Sequence, residues 1–503
     1  MRHPSNRIKM ATAPAKATAL MKNSCLITVD TPNAHVLMSD YGAAFGLYGY
    51  VHSTTMRVTS IKLGLKQKQC CSSAQNVTLQ TGIIDPNRAE TLEHGFILGL
   101  DAGFYVSASF PNNIDIVTGL AYIDASITWN DNTETTLRLC SAHVERIERE
   151  KEISFQSEEN LVGIAMATCN PDPILFKKQI ESIKDQSHSN WLCLISDDVS
   201  DESHFNYILH TVSGDKRFVV RKNLSRVGFY RNFERALAAL PSQCGYLAFS
   251  DQDDIWKPNK LSQQIIRLSS PNDECVYSDM EIVLYDGTML SGSFWVNRRQ
   301  SYGSLEGLLL ANVASGMSML FKQPLAELAL PFPATPNLTY HDHWIALLAK
   351  SRASLKYISD PLVQYIQHGG NHTGALAPPE RARDAFRRGF KQITDIVFMP
   401  FRKINPTENR TKLSTAAFWT DFEPCRLRIL VFNILYRQRA ENVHQAFKHM
   451  VRMSKNFGIV EMLRANIDWR DRYRRAYAVE LALGGVLKTV ITLYANFRKA
   501  QRK

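Results

Sequence analysis

Three carboxylates fall within four positions in the run Ser250-Asp251-Gln252-Asp253-Asp254-Ile255-Trp256. Like charges at that density repel unless something offsets them. A hard divalent cation removes the repulsion and can bridge carboxylate oxygens to a diphosphate. The run directly follows the apolar segment Gly245–Ser250. In open α/β sheets, ligands bind at the C-terminal ends of such buried strands. The competing reading is a solvated acidic turn that caps the next helix. A second pair, Asp197-Asp198, follows the apolar run Trp191–Ser196. It can accept hydrogen bonds from a base or ribose, or it can cap a helix, with Asp201 and Ser203 as alternative caps. Thr168-Cys169-Asn170-Pro171 ends a third apolar run, Leu161–Ala167, where a loop can pass under a nucleotide. Neither GxGxxG nor GxxxxGK[ST] occurs, so neither a Rossmann dinucleotide site nor a P-loop is supported.

These residues need a scaffold, and the chain between Leu161 and Ser250 supplies its pattern. Strands are expected at Leu161–Ala167, Trp191–Ser196, Arg217–Arg221 and Gly245–Ser250. Helices are expected between them, near Pro173–Ser187, Ser203–Val212 and Phe229–Leu240. Such alternation predicts right-handed βαβ units around a parallel sheet, with the acidic residues gathered at one edge.

The rest of the chain reads differently. Residues 1–22 are basic and rich in small residues, without the apolar core of a secretory signal, and are expected to be a disordered leader. Residues 23–145 hold short runs rich in Val, Ile, Thr and aromatics, such as Arg57–Leu65, Val77–Thr81, Phe96–Leu100, Ala125–Trp129 and Thr135–Cys140. Turn residues separate them, which predicts a β-sandwich. Residues 146–160 belong to a charge-dense stretch and are expected to form a helical linker. Residues 380–503 read as basic amphipathic helices, with 26 Lys or Arg against 11 Asp or Glu. That segment carries +15 in a chain whose total is +11, so the positive surface lies outside the core. An anionic membrane surface is the partner this implies, with no nucleic-acid motif beside it. Nine scattered cysteines without metal spacing suggest a reducing compartment.

Six blocks in order then resemble the family 2 glycosyltransferases, in particular a subgroup that includes bacterial rhamnosyltransferases. They are Val162–Asn170, Ile195–Glu202, Asn223–Gly228 with Asn232, Asp251–Trp256, Tyr340-His341-Asp342-His343-Trp344, and Gln364–Asn371. The resemblance covers about Leu161–Gly374 and implies a GT-A-like, nucleotide-sugar-binding α/β core over residues 161–379. Residues 23–145 also weakly resemble β-sandwich accessory domains of bacterial glycosyltransferases, through Asp85-Pro86-Asn87-Arg88 and Gly95-Phe96.

The resemblance also implies roles. Thr168, Asn170, Asp197, Asp198, Arg226, Asp251 and Gln252 would hold the nucleotide sugar. Asp251 and Asp253 would bind Mg2+ or Mn2+, with Asp254, His368 and His372 as weaker candidates. Asp342 would be the general base of an inverting transfer to a growing glycan or lipid-linked acceptor of cell-surface polysaccharide or lipopolysaccharide. Spacing alone reads Asp342 instead as the cap of a helix over His343–Lys350. The expected location is cytoplasmic, against the inner membrane face. Two departures, Val199 where the family has Gly or Asn and Ile366 where it has Arg, motivate an alternative: a glycan-binding or scaffold protein with an inactive core.

Overall fold

The computed structural model describes residues 118–150, 159–295, 312–333 and 340–369 with their side chains, the backbones of strands between residues 20 and 110, and a few isolated residues. Residues 1–19 of the expected leader, the run Phe96–Leu100, His372 and, apart from Arg387, the segment 380–503 lie outside this set, whereas the last three residues of the expected leader, Leu20–Lys22, form a strand that pairs with Cys25–Ile27.

The first ten strands form two five-stranded sheets. One has the order β1 (Leu20–Lys22), β2 (Cys25–Val29), β4 (Ala43–Ser53), β8 (Ala102–Phe110), β7 (Ile83–Asp85). The other has the order β3 (Asn33–Met38), β10 (Glu134–Arg146), β9 (Gly119–Trp129), β5 (Val58–Gln67), β6 (Gln75–Thr78). Strands of one sheet approach strands of the other, β3 beside β4 and β5 beside β8. The alternation of buried and exposed residues along β10 is that of a strand with one face packed.

The charged stretch at 144–150 is not helical. Strand β10 runs to Arg146, and residues 147–150 are irregular. The reason is where the charges go. Glu145 pairs with Arg235, Arg149 lies 3.2 Å from Asp40, and Glu150 Oε2 accepts from Arg221 at 2.5 Å. The Glu150 N–H donates to the Ala239 carbonyl at 2.8 Å. Charges that a solvated helix would expose are here used on tertiary partners, Asp40 before the stretch and Arg221 and Arg235 in the following domain.

That domain is a nine-stranded mixed sheet with three layers of pattern. Parallel strands β11 (Val162–Thr168), β12 (Trp191–Asp197), β13 (Phe218–Lys222) and β14 (Tyr246–Ser250) alternate with α1 (Pro173–Lys184), α2 (Glu202–Val212) and α3 (Phe229–Ala239). Beyond β14 lie β18 (Met319–Lys322), β16 (Cys275–Leu284), β19 (Leu355–Gln367) and β15 (Ile255–Trp256), with β17 (Met289–Ser291) paired to β16. Helices α4 (Lys260–Arg267), α5 (Gln323–Ala329) and α6 (His341–Ser351) complete it.

Two local features set the geometry. Asp172 caps α1 by accepting from the N–H groups of Ile174 and Leu175 at 2.9 and 3.1 Å, with Pro173 fixing the first turn. Gly163 lies in β11 where α3 and β14 close in. A Cβ there would meet Cys244 Sγ at 2.9 Å and Leu240 at 3.0 Å, so only glycine lets these layers approach.

Candidate active site

Register brings the first acidic residues to one edge. Thr168 stands opposite Asp197, and Met166 opposite Ser250, so the strands end together and their loops share one side of the sheet. Gln179 on α1 donates to Ser250 Oγ at 2.7 Å and anchors the last residue before the acidic run.

Asp197 and Asp198 are buried and occupied. Asp197 accepts from Thr168 Oγ1 (3.1 Å), the Ser200 N–H (2.8 Å) and Ser200 Oγ (2.5 Å). Asp198 accepts from the N–H groups of Val227 (2.7 Å) and Gly228 (2.8 Å) and from Asn223 Nδ2 (3.1 Å). These bonds make both carboxylates hold two loops in shape, and each keeps acceptor capacity beyond the three bonds it takes. Asn170 pairs reciprocally with Asp201, and its N–H donates to Ser200 Oγ at 2.7 Å. Ser200 was invisible as a site residue in the sequence, because a serine in a polar run carries no distinguishing signal.

Val199 adopts φ 58°, the left-handed backbone that a Gly or Asn would take without strain. A β-branched side chain at this position therefore carries backbone strain. The exposed Arg226 crosses the same loop, with Nε 3.4 Å from the Asp198 carbonyl and Nη2 3.1 Å from Cys169 Sγ. Gln252 binds the backbone of Cys169 on both sides: its Oε1 accepts from the N–H at 2.9 Å, and its Nε2 lies 3.4 Å from the carbonyl. Gln252 thus joins the first loop to the acidic run.

Within that run the carboxylates differ. Burial, followed by the nearby Asp253 and Asp342, pushes the Asp251 carboxyl up to about 8. Asp254 is buried and raised well above the usual carboxylate range by burial and by Asp253 and Asp251, while its Oδ1 accepts from the Ile366 N–H at 3.1 Å. Ile366 itself is buried in β19, so a backbone N–H makes the contact to the acidic run at this position. His368 Nε2 lies 2.9 Å from Asp253 Oδ2, which joins the last block to the acidic run.

Asp342 comes from the far side. It lies in the first turn of α6, whose cap is Tyr340, so the cap reading is replaced. Its Oδ1 accepts from the His343 N–H at 2.6 Å and its Oδ2 from the Gly316 N–H at 3.1 Å. Burial raises its carboxyl to about 6, against these hydrogen bonds and one from Asn312, which hold it down. Sequence reasoning missed Gly316, Asn312 and the role of His341. His341 is wedged between Phe233, stacked at 3.8 Å, and Phe249, edge-on at 4.7 Å. Nothing in local pattern marks a glycine that makes room for a ring 25 residues away.

Among the described residues no three His, Cys, Asp or Glu side chains converge as a ready-made metal cage. The donor set still suits Mg2+ or Mn2+. These hard ions are commonly held by one or two carboxylates together with substrate phosphates, and Asp251 and Asp253 are oxygen donors whose mutual repulsion a cation would relieve.

Residues 164–328 match the model of glycosyl transferase family 2. The chain carries a family 2 glycosyltransferase domain. It is 28% identical over 199 residues to the UDP-Glc:alpha-D-GlcNAc-diphosphoundecaprenol beta-1,3-glucosyltransferase WfgD of Escherichia coli, covering 39% of this chain and 73% of that one. It is 27% identical over 218 residues to the dTDP-rhamnosyl transferase RfbG of Shigella flexneri, covering 42% and 74%. A third relative, the uncharacterized protein y4gI of Sinorhizobium fredii, is 27% identical over 150 residues, covering 28% of this chain and 16% of that one. Among solved structures, S. aureus TarS 1–349 in complex with UDP-GlcNAc is 12% identical, covering 67% and 91%, with a TM-score of 0.37. The sheet order, with the parallel run β13-β12-β11-β14 followed by mixed strands, is the GT-A-like core that the six sequence blocks imply.

Proposed function

We propose that this domain transfers a sugar from a nucleotide-sugar donor to a hydroxyl of a growing glycan or lipid-linked acceptor, with inversion, in cell-surface polysaccharide or lipopolysaccharide assembly. The observation that carries the reading is the pairing of two carboxylate environments. Asp342 is held by two backbone N–H groups and by Asn312, and Asp251 lies near enough for Asp342 to raise its pKa. A base electrostatically close to an acidic donor-side loop is what a single displacement requires.

In that displacement the acceptor oxygen bonds to the anomeric carbon, the bond from that carbon to the diphosphate breaks, and Asp342 takes the acceptor proton. The N–H groups of Gly316 and His343 aim the carboxylate and favour its ionised form. Arg226, exposed beside the nucleotide loop, offers a cation to the departing nucleoside diphosphate. Asp251 and Asp253 would hold a divalent cation, which when bound neutralises diphosphate charge. The relatives' names point to UDP- or dTDP-linked hexoses as the first donors to try. An inactive core that binds glycan or serves as a scaffold is the second reading; Val199 with its left-handed backbone and Ile366, which reaches Asp254 through its N–H, are the positions that bear on it.

The test is a screen of UDP- and dTDP-sugars for metal-dependent hydrolysis or transfer, with Asp342→Asn beside the native chain. Turnover should fall by two orders of magnitude or more in the variant, on the scale of general-base catalysis (roughly 10²–10⁴-fold), with nucleotide binding retained. Near-native turnover by Asp342→Asn would remove the base assignment, and Asp279 or Glu281 would be examined next.

A further inference from the structure

The acidic run is gripped at both ends by side chains of α1 that the reaction above does not use. The buried side of that helix carries the apolar residues Phe176, Ile180 and Ile183, as an inward face requires. Gln179 and Ser182 are buried there too. A buried polar side chain costs stability unless its groups are bonded. Here they are bonded to each other and to the run. Ser250 Oγ donates to the Asp251 carbonyl at 3.0 Å and accepts from Gln179 Nε2 at 2.7 Å. Gln179 Oε1 accepts from Ser182 Oγ at 3.0 Å, and Ser182 Oγ accepts from the Trp256 N–H at 3.1 Å. The chain of bonds starts at Asp251 and ends at Trp256, so it closes the loop that carries Asp251, Asp253 and Asp254. The middle of the loop is reached from elsewhere: Gln252 binds Cys169, His368 meets Asp253, and the Ile366 N–H meets Asp254.

We propose that Gln179 and Ser182 are positioning residues for the divalent cation, buckling the two ends of the acidic run so that Asp251 and Asp253 are gathered before the metal arrives. The inference deepens the proposed transfer and rests on the metal role given there to Asp251 and Asp253. The three carboxylates are close enough that Asp253 and Asp251 both raise Asp254, and their repulsion works to open the loop. A loop free to open would have to be closed again at each binding event, which weakens binding. A buckle of amide and hydroxyl groups holds it closed without a charge that competes with the cation. Gln186, just past the end of α1, supplies the comparison. It is buried and as fully bonded: Nε2 donates to the carbonyls of Ser182 (3.1 Å) and Lys257 (2.8 Å), and Oε1 accepts from the Leu261 N–H at 3.1 Å. Those bonds hold the chain that follows the run and not the loop itself.

The experiment is a Mn2+ titration of the full chain, read by the EPR signal of free Mn2+, with UDP and in parallel with dTDP. Urea unfolding in chelator measures stability beside it. Gln179→Met keeps the length of the side chain and removes its bonds. Ser182→Ala removes only a hydroxyl and carries the test if the first variant does not fold. In each, the Mn2+ dissociation constant should rise about tenfold or more, the scale on which side chains that orient metal ligands act. Gln186→Met should lose comparable stability yet bind Mn2+ as the native chain does. Native Mn2+ affinity in both Gln179→Met and Ser182→Ala would overturn the buckle. So would an equal loss of affinity in Gln186→Met, or a native chain that binds no Mn2+ with either nucleotide. Mn2+ binding that needs Gln179 and Ser182 while no nucleotide sugar turns over would instead remove the transfer and leave the buckle standing.

Discussion

Gly316→Ala tests the geometry of the base more sharply than removing the base does. A Cβ at residue 316 would lie 2.7 Å from His341 Nε2 and 3.5 Å from Asp342 Cβ. The histidine cannot swing away cheaply, because Phe233 covers one face at 3.8 Å and Phe249 abuts it at 4.7 Å. The turn at Gly316 must therefore shift, and its N–H, now 3.1 Å from Asp342 Oδ2, moves off the carboxylate. Overpacking of this kind costs about 1–3 kcal/mol of stability. Losing a hydrogen bond to a charged group costs about 1.5–3 kcal/mol where the site is dry, and one pH unit corresponds to about 1.4 kcal/mol. Because the lost bond favours the ionised form, the Asp342 carboxyl, already raised to about 6 by burial, should rise by about one pH unit further. The assay is the pH–rate profile of nucleoside diphosphate release between pH 5 and 9. The acid limb should move up by about one unit while the alkaline plateau stays within a few-fold of native. The double variant Gly316→Ala/His341→Ala removes the clash and should return the limb toward its native place. A limb that does not move, with activity lost evenly at all pH values, would refute the claim that this N–H tunes the base.

Three further outcomes are expected. Asp253→Ala should weaken nucleoside diphosphate binding in Mg2+ by about tenfold or more and have little effect in chelator, read by calorimetry; equal loss in both would remove the metal role. The Asp251 and Asp342 carboxyls are raised in the folded chain, so the folded state binds extra protons above the usual carboxylate range. Metal-free stability should therefore fall as pH rises from about 5 through 8, and Mg2+ with UDP should offset the fall; a melting temperature that climbs over that range would contradict it. Val199→Gly should be tolerated, since relief of a left-handed β-branched residue (about 1–2 kcal/mol) roughly balances the added freedom of the unfolded chain, and a loss above 2 kcal/mol in urea unfolding would show that the Val side chain matters more than its backbone.

Location remains with the basic segment 380–503. Among the described residues no helix is long and apolar enough to cross a membrane. The full chain is expected to sediment with anionic vesicles, less so in high salt, and truncation before Glu380 should abolish this. Equal sedimentation with neutral vesicles would argue against an electrostatic attachment.

Much of the domain was legible from local pattern. Apolar runs of six or seven residues located β11, β12 and β14 to within a residue or two, because a strand buried on both faces must be continuously apolar, while the edge strand β13 showed only a short Phe218–Val220 apolar core. Parallel pairing then follows from the intervening helices, and with it the edge where Thr168, Asp197 and Asp251 gather. Order of blocks carried the family. Local pattern failed where charge was read without its partners. The stretch around Glu145–Glu150 looks helical by composition, yet its carboxylates pair with Arg235 and Arg221, more than 70 residues away. Local pattern also could not show that the Asp197 and Asp198 carboxylates accept from Ser200, Val227 and Gly228 once the loops close. Which acid stays available is a matter of which donors surround it, and the chain meets those donors only on folding. The same holds for Asp342. Its spacing said helix cap, and its environment of Gly316, His343 and Asn312, with Asp251 close by, makes it the candidate base.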